Sequence, residues 1–146
     1  DSMNMGAAMA PAAFHTVMQN LKDLEITKEQ LEGGWYDKII TGDLGKIGKQ
    51  ALADLLRNEG LEAEGFLMDC GVEIYDNQKQ DTHAGGSGCG CSALVLGALI
   101  LPNIQAGIWK RVLFVPTGAL LSTVSFNEGQ TIPGIAHGVI LERMGK

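Results

Sequence analysis

Apolar residues recur near the start of the chain at three- and four-residue steps, in Phe14, Val17, Met18 and Leu21. With alanine and methionine as strong helix formers around them, this spacing predicts a helix from Met5 to Leu24. Pro11 sits early in it and is expected to mark the true first turn. Thr27-Lys28-Glu29-Gln30 then has the form of a capping box, with Thr27 as N-cap and Gln30 three positions on.

The period changes at Trp35. Trp35 to Thr41 reads as a strand around Ile39 and Ile40, ending in the turn Gly42-Asp43-Leu44-Gly45. A helix from about Ile47 to Asn58 follows, with Ile47, Ala51, Leu52, Leu55 and Leu56 on one face and Gly60 closing it. Gly65 to Cys70 reads as a second strand, and Arg111 to Val115 as a third. Between them an apolar run, Ala93 to Leu101, predicts a buried core helix. Ile135 to Glu142 alternates and predicts a last strand, with His137, Val139 and Leu141 on one face. Helices alternating with strands predict an α/β fold in one domain, with a mostly parallel sheet and helices on both faces.

The 45% apolar and 19% charged content fits a globular domain. Net charge is −6 with no basic cluster longer than Trp109-Lys110-Arg111, which argues against a nucleic-acid surface and a polybasic membrane anchor. Ala84 to Trp109 carries no charge, but its apolar part is too short for a spanning helix, which needs roughly 20 residues. The stretch Asp1-Ser2-Met3-Asn4 has no basic region before an apolar run, so no secretory signal is expected. Three cysteines, two of them in Cys89-Gly90-Cys91, make an odd and crowded set for structural disulfides, which points to a reducing compartment.

Two glycine turns are candidates for chemistry. Thr41-Gly42-Asp43-Leu44-Gly45-Lys46 joins a strand to a helix, and its backbone N–H groups suit an anion. The plainer alternative is a strand-to-helix turn with Asp43 as N-cap. The run His83-Ala84-Gly85-Gly86-Ser87-Gly88-Cys89-Gly90-Cys91-Ser92-Ala93 opens onto the apolar helix, and its glycines let a ligand or another backbone come close. A carboxylate there meets helix N–H donors and the Ser87 hydroxyl; close packing of the helix on the sheet is the alternative. Cys89 or Cys91 could pair with His83 as a nucleophile, although small buried thiols are the commoner outcome. Three histidines do not suffice for a zinc site at these spacings. His15 is expected at the surface and His137 packed.

These motifs carry a resemblance. Gly42-Asp43-Leu44-Gly45, Asp69-Cys70-Gly71, the glycine-cysteine run from His83 to Ala93, and Val115-Pro116-Thr117-Gly118-Ala119-Leu120-Leu121-Ser122 resemble the stage V sporulation protein AD family of spore-forming bacteria. The resemblance spans nearly the whole chain and the C-terminal half of that family's proteins. The family is similar to thiolases and β-ketoacyl synthases, so it implies a thiolase-like half-domain built on a five-strand-type mixed sheet. In those enzymes the nucleophilic cysteine comes from the N-terminal half. The C-terminal half adds a histidine after its first strand, and a histidine or asparagine in its glycine-rich turn. By position these fall at Gly42 and Ser87, neither of which can act as an imidazole does.

The resemblance therefore implies a fold that has lost catalysis and kept a pocket. The implied ligand is dipicolinic acid, a flat dianion often paired with calcium, taken up into the forespore with other proteins of the stage V sporulation A operon. The implied place is peripheral, at the cytoplasmic face of the forespore inner membrane. Gly42, Asp43, His83, Ser87, Gly88 and Cys89 are the expected ligand-binding residues, with no catalytic residue and no resident cofactor. The N-terminal half of the same protein and a second copy are the expected protein partners. An active acyltransferase and a purely structural assembly domain are the rival functions.

Overall fold

Neighbouring residues of a strand point to opposite faces of its sheet. In the computed structural model of the chain, Ile39 and Ile40 are nonetheless both fully buried. Helices must therefore cover both faces. The structure describes residues 5–73, 91–119 and 134–144.

Four strands form an open mixed sheet in the order β2-β1-β3-β6: β1 (Lys38–Thr41), β2 (Leu67–Asp69), β3 (Arg111–Val115) and β6 (Val139–Glu142). β1 runs parallel to β2 and to β3, with Ile39 opposite Leu67 and Leu113. β6 is antiparallel to β3, with Leu113 opposite Ile140. The fold class is α/β, as the alternation of periods implies.

One face carries α1 (Met5–Asp23) and α3 (Gly45–Asn58). There Ala13, Val17, Leu52 and Leu56 pack with Ile39, Leu113 and Val115. The two helices touch where Gly6 meets Gly48; a Cβ at Gly48 would lie 2.7 Å from the Gly6 carbonyl oxygen. Pro11 lies inside α1 rather than at its start. α2 (Lys28–Glu32) has the capping box in full, with Thr27 Oγ1 accepting from Gln30 N at 3.1 Å and Gln30 Oε1 from Thr27 N at 2.9 Å. α3 ends with Gly60 in the left-handed region, Gly60 N donating to Arg57 O and Leu61 N to Leu56 O.

The opposite face carries a continuous helical rod: α5 (Cys91–Val95), a π-helical stretch (Leu96–Ile100) and α6 (Leu101–Gln105). Pro102 has no N–H to give and its ring crowds the preceding turn, so the ladder widens just before it, with Leu101 N donating to Leu96 O. Cys91, Val95, Ile100 and Ile104 pack on Ile40, Val112 and Phe114. The rod is not buried all round, as the apolar run alone suggests. Ala93, Leu94, Gly97, Ala98 and Leu101 face outward, Leu94 at 57% exposure.

The alternating segment at the C-terminal end is also not one strand. β5 (Gly134–Ala136) pairs antiparallel with β4 (Thr117–Ala119) in a separate two-stranded sheet, and β6 begins only at Val139. His137 N donates to Pro116 O at 3.1 Å, and Gly138 lies close to the Thr16 side chain on α1. A Cβ at 138 would lie 3.1 Å from Thr16 Cγ2, so glycine leaves room for α1 where the chain passes from β5 to β6. His137 itself is exposed, not packed, and His15 is exposed on α1.

Candidate functional site

The C-terminal ends of β1, β2 and β3 converge on Thr41, Asp69 and Val115. In open α/β sheets this is the edge where ligands bind. Asp69 is its organising group. It is fully buried and accepts from Thr41 Oγ1 at 2.5 Å, from Leu44 N at 2.8 Å and from Gly45 N at 2.9 Å. Burial pushes its carboxyl above the ordinary aspartate value, and these hydrogen bonds oppose that shift. Asp43 adds to the upward push as a neighbouring negative charge.

Two expectations for the Gly42 turn change as a result. Asp43 does not cap α3: the N-cap is Leu44, without a side-chain cap bond. Asp69 reaches across from β2 and takes the first amides of the helix instead. An acceptor already stands where an incoming anion was expected to find those donors. The Asp43 carboxylate lies over Gly71, in space that a Cβ at 71 would fill.

Gly42 is a point of close approach. Its N donates to Val115 O at 3.1 Å, and a Cβ there would stand 2.8 Å from Ser92 Oγ and 3.0 Å from Thr117 N. The start of the α5 rod is thus pressed against the β1 turn. Cys91 Sγ sits 3.9 Å from Gly42 O. Cys70, which opens the short α4 (Cys70–Glu73), is buried nearby, and burial, Cys91 and Asp69 together push its thiol up to about 12. A thiol held that high stays protonated near neutrality and is a poor nucleophile. Thr117 Oγ1 is buried at this edge without a hydrogen-bond partner among the described residues.

The structure therefore brings Gly42 and Asp43 together with Asp69, Cys70, Cys91, Ser92 and Thr117. His83, Ser87, Gly88 and Cys89 lie outside the described residues. Thr41, Asp69 and Ser92 lie within motifs quoted from the sequence but outside the expected ligand-binding set. A polar residue closing each of two apolar strands, beside a glycine turn, is the signal that could have found Thr41 and Asp69. Among the described residues no three His, Cys, Asp or Glu side chains gather to hold a metal, and no helix is long and apolar enough to cross a membrane.

An open mixed sheet with helices on both faces defines a domain of the α/β class. The sequence pattern of the stage V sporulation protein AD (SpoVAD) family matches residues 1–142, and the chain belongs to that family. It is 44% identical over 145 residues to the stage V sporulation protein AD of Bacillus subtilis (strain 168). That match takes in 99% of this chain and 41% of the relative, so the chain spans less than half the relative's length.

Proposed function

We propose that this chain is the non-catalytic, ligand-binding C-terminal half of a sporulation protein with a thiolase-like fold. Its ligand is dipicolinic acid, bound for uptake into the forespore. Membership of the stage V sporulation protein AD family supports the role in sporulation. The observation that carries the loss of catalysis is the packing at Gly42. An acyl-transfer enzyme of this kind needs an imidazole at that turn, and here Ser92 Oγ and Thr117 N already stand where its Cβ would begin.

Because Asp69 occupies the first amides of α3, ligand contacts are assigned mainly to the glycine-cysteine run, with Ser87 as donor and Gly88 as the point of close approach. His83 and Cys89 flank it in sequence, and Asp43 is the contribution assigned to the β1 turn. Calcium is given no protein site in this reading and arrives only with dipicolinate. Other proteins of the stage V sporulation A operon are the partners in uptake, at the cytoplasmic face of the forespore inner membrane.

A second reading, assembly, is favoured by the outward apolar face of the α5–α6 rod. It is proposed as the seat of the N-terminal half of the same protein, or of a second copy when that half is missing. The two readings are compatible.

Titration calorimetry of dipicolinate, with and without calcium, against the full-length protein tests the ligand. Ser87→Ala is expected to weaken binding by about 0.5–1.5 kcal/mol, or up to about 3 if the acceptor is charged. A bulky residue at Gly88 is expected to abolish binding. Parental affinity in both variants would falsify the placement. Acyl-enzyme found on Cys89 or Cys91 after incubation with acyl-coenzyme A would overturn the loss of catalysis.

A further inference from the structure

At the opposite edge of the sheet, where β1 and β3 begin and β6 ends, a cleft of about 600 Å³ opens between Trp35, Ile108 and a group of charged side chains. Its volume lies in the range of small-molecule sites. Three cations, Lys110, Arg111 and Arg143, stand against two carboxylates, Asp37 and Glu142. That leaves one positive charge in excess, on a chain whose net charge is −6.

The carboxylates are already occupied within the fold. Asp37 Oδ2 accepts the backbone amides of Lys110 at 2.6 Å and Arg111 at 3.1 Å. Glu142 Oε1 accepts from Arg111 Nε and NH2 at 3.2 and 3.0 Å. Arg111 is occupied too, since it also donates to Trp35 O at 3.3 Å and lies 4.1 Å over the Trp35 ring. The Lys110 ammonium and the Arg143 guanidinium remain, and neither has an ion pair among the described residues. The Arg143 guanidinium lies in the space beside Gly107, which has φ +78° and no Cβ. Ile108 stands 66% exposed on the same cleft, an apolar wall left in water.

We infer that this cleft binds a small aromatic carboxylate, its carboxylate on Arg143 and Lys110 and its ring against Ile108. The guanidinium fork suits a planar carboxylate, and Lys110 adds a point charge. The ring covers apolar surface that the fold leaves bare. This site is separate from the strand-end site and does not depend on the ligand proposed for it.

The test is titration calorimetry of benzoate against the full-length protein, with benzamide as the neutral analogue. Parent protein is expected to bind benzoate and not benzamide. Arg143→Gln and Lys110→Gln should each weaken benzoate about tenfold or more, as loss of a charge-assisted hydrogen bond implies. Arg143→Lys should fall between parent and Arg143→Gln. Thermal melting should match the parent in all three, since none of them removes core volume. Absence of benzoate binding in the parent, equal binding of benzamide, or unchanged affinity in Arg143→Gln would each overturn the inference.

Discussion

The two helical layers that cover the sheet obey the same rule inward and opposite rules outward. On the α1–α3 side, Val17 and Leu56 meet the strands, while His15, Gln19, Lys46, Lys49 and Arg57 line the other side. On the α5–α6 side, Val95 and Ile100 meet the strands, but the outward residues are Ala93, Leu94, Gly97, Ala98 and Leu101. The first layer is mainly polar outside, although Ile47, expected on the apolar face of α3, stands 51% exposed; the second layer is apolar on both sides. A layer with an apolar outside reads in sequence as a fully buried helix, because periodicity vanishes when both faces are apolar. The difference teaches that burial was legible for the rod but not its source: this chain covers one side only.

The sharpest way to break the comparison uses two adjacent residues of the rod. Ile100 is fully buried and Leu101 is 40% exposed. Ile100→Ala should cost about 2–5 kcal/mol, the usual cost of emptying an aliphatic core site. Leu101→Ala should cost far less in the same denaturant titration. Equal losses would mean that the outward face is as tightly packed as the inward one.

The inner layer rests on Asp69, which fastens α3 to β2. Asp69→Ala leaves the Leu44 and Gly45 amides without an acceptor and should cost about 2–4 kcal/mol. The pH dependence has a definite sign. Its carboxyl titrates above the unfolded value of about 3.9, so its stabilising contribution is complete below that value. It is lost as pH rises through the raised native value. Asp69→Asn should flatten that part of the stability profile, and a slope unchanged from the parent would show that Asp69 does not titrate as its burial demands.

Next in size is the helix crossing. Gly48→Ala places a methyl group within 2.7 Å of the Gly6 carbonyl oxygen and 2.8 Å of Leu44 Cβ. The helices must part, at about 1–3 kcal/mol, even though alanine favours a helix by itself. A thermal melt in which Gly48→Ala gains stability would show that the α1–α3 contact is loose.

Much of this architecture could be read from sequence because it follows from local rules. Ile39-Ile40, Leu67-Met68, Val112-Leu113-Phe114 and Val139-Ile140 lie in strands as their composition implies, and Thr27 and Gln30 form their capping box. Of the second strand read from Gly65 to Cys70, however, Gly65 and Phe66 form a 3-10 turn and Cys70 starts a helix. Readings that turned on long-range contacts did not carry over. Asp43 was the natural cap by adjacency, yet Asp69 takes the amides from 24 and 25 residues away. Alternation from Ile135 to Leu141 described two short strands in different sheets, divided where His137 is drawn to Pro116. Of the candidate site, the Gly42 turn was legible as a glycine turn at a helix start, but its contact with Cys91 and Ser92 was not. What fills the space at Gly42 is the Ser92 hydroxyl and the backbone at Pro116 and Thr117, 50 and more residues distant.

The smallest expected change in stability sharpens the comparison most. Leu94 and Leu101 are 57% and 40% exposed, so replacing both with serine removes apolar surface that the folded chain already leaves in water. Each substitution should change stability by less than about 0.5 kcal/mol. Association should respond differently. An apolar helix face in water drives pairing with whatever covers it, and the chain spans only 41% of its Bacillus relative, so a covering segment has room to exist. We expect the parent chain to self-associate in sedimentation velocity and the Leu94→Ser, Leu101→Ser variant to run as a monomer. The same variant should bind a separately produced N-terminal half at least tenfold more weakly. A variant that sediments as the parent does, and binds that half equally well, would mean that the rod's outward face takes no partner. The two layers would then differ in composition alone.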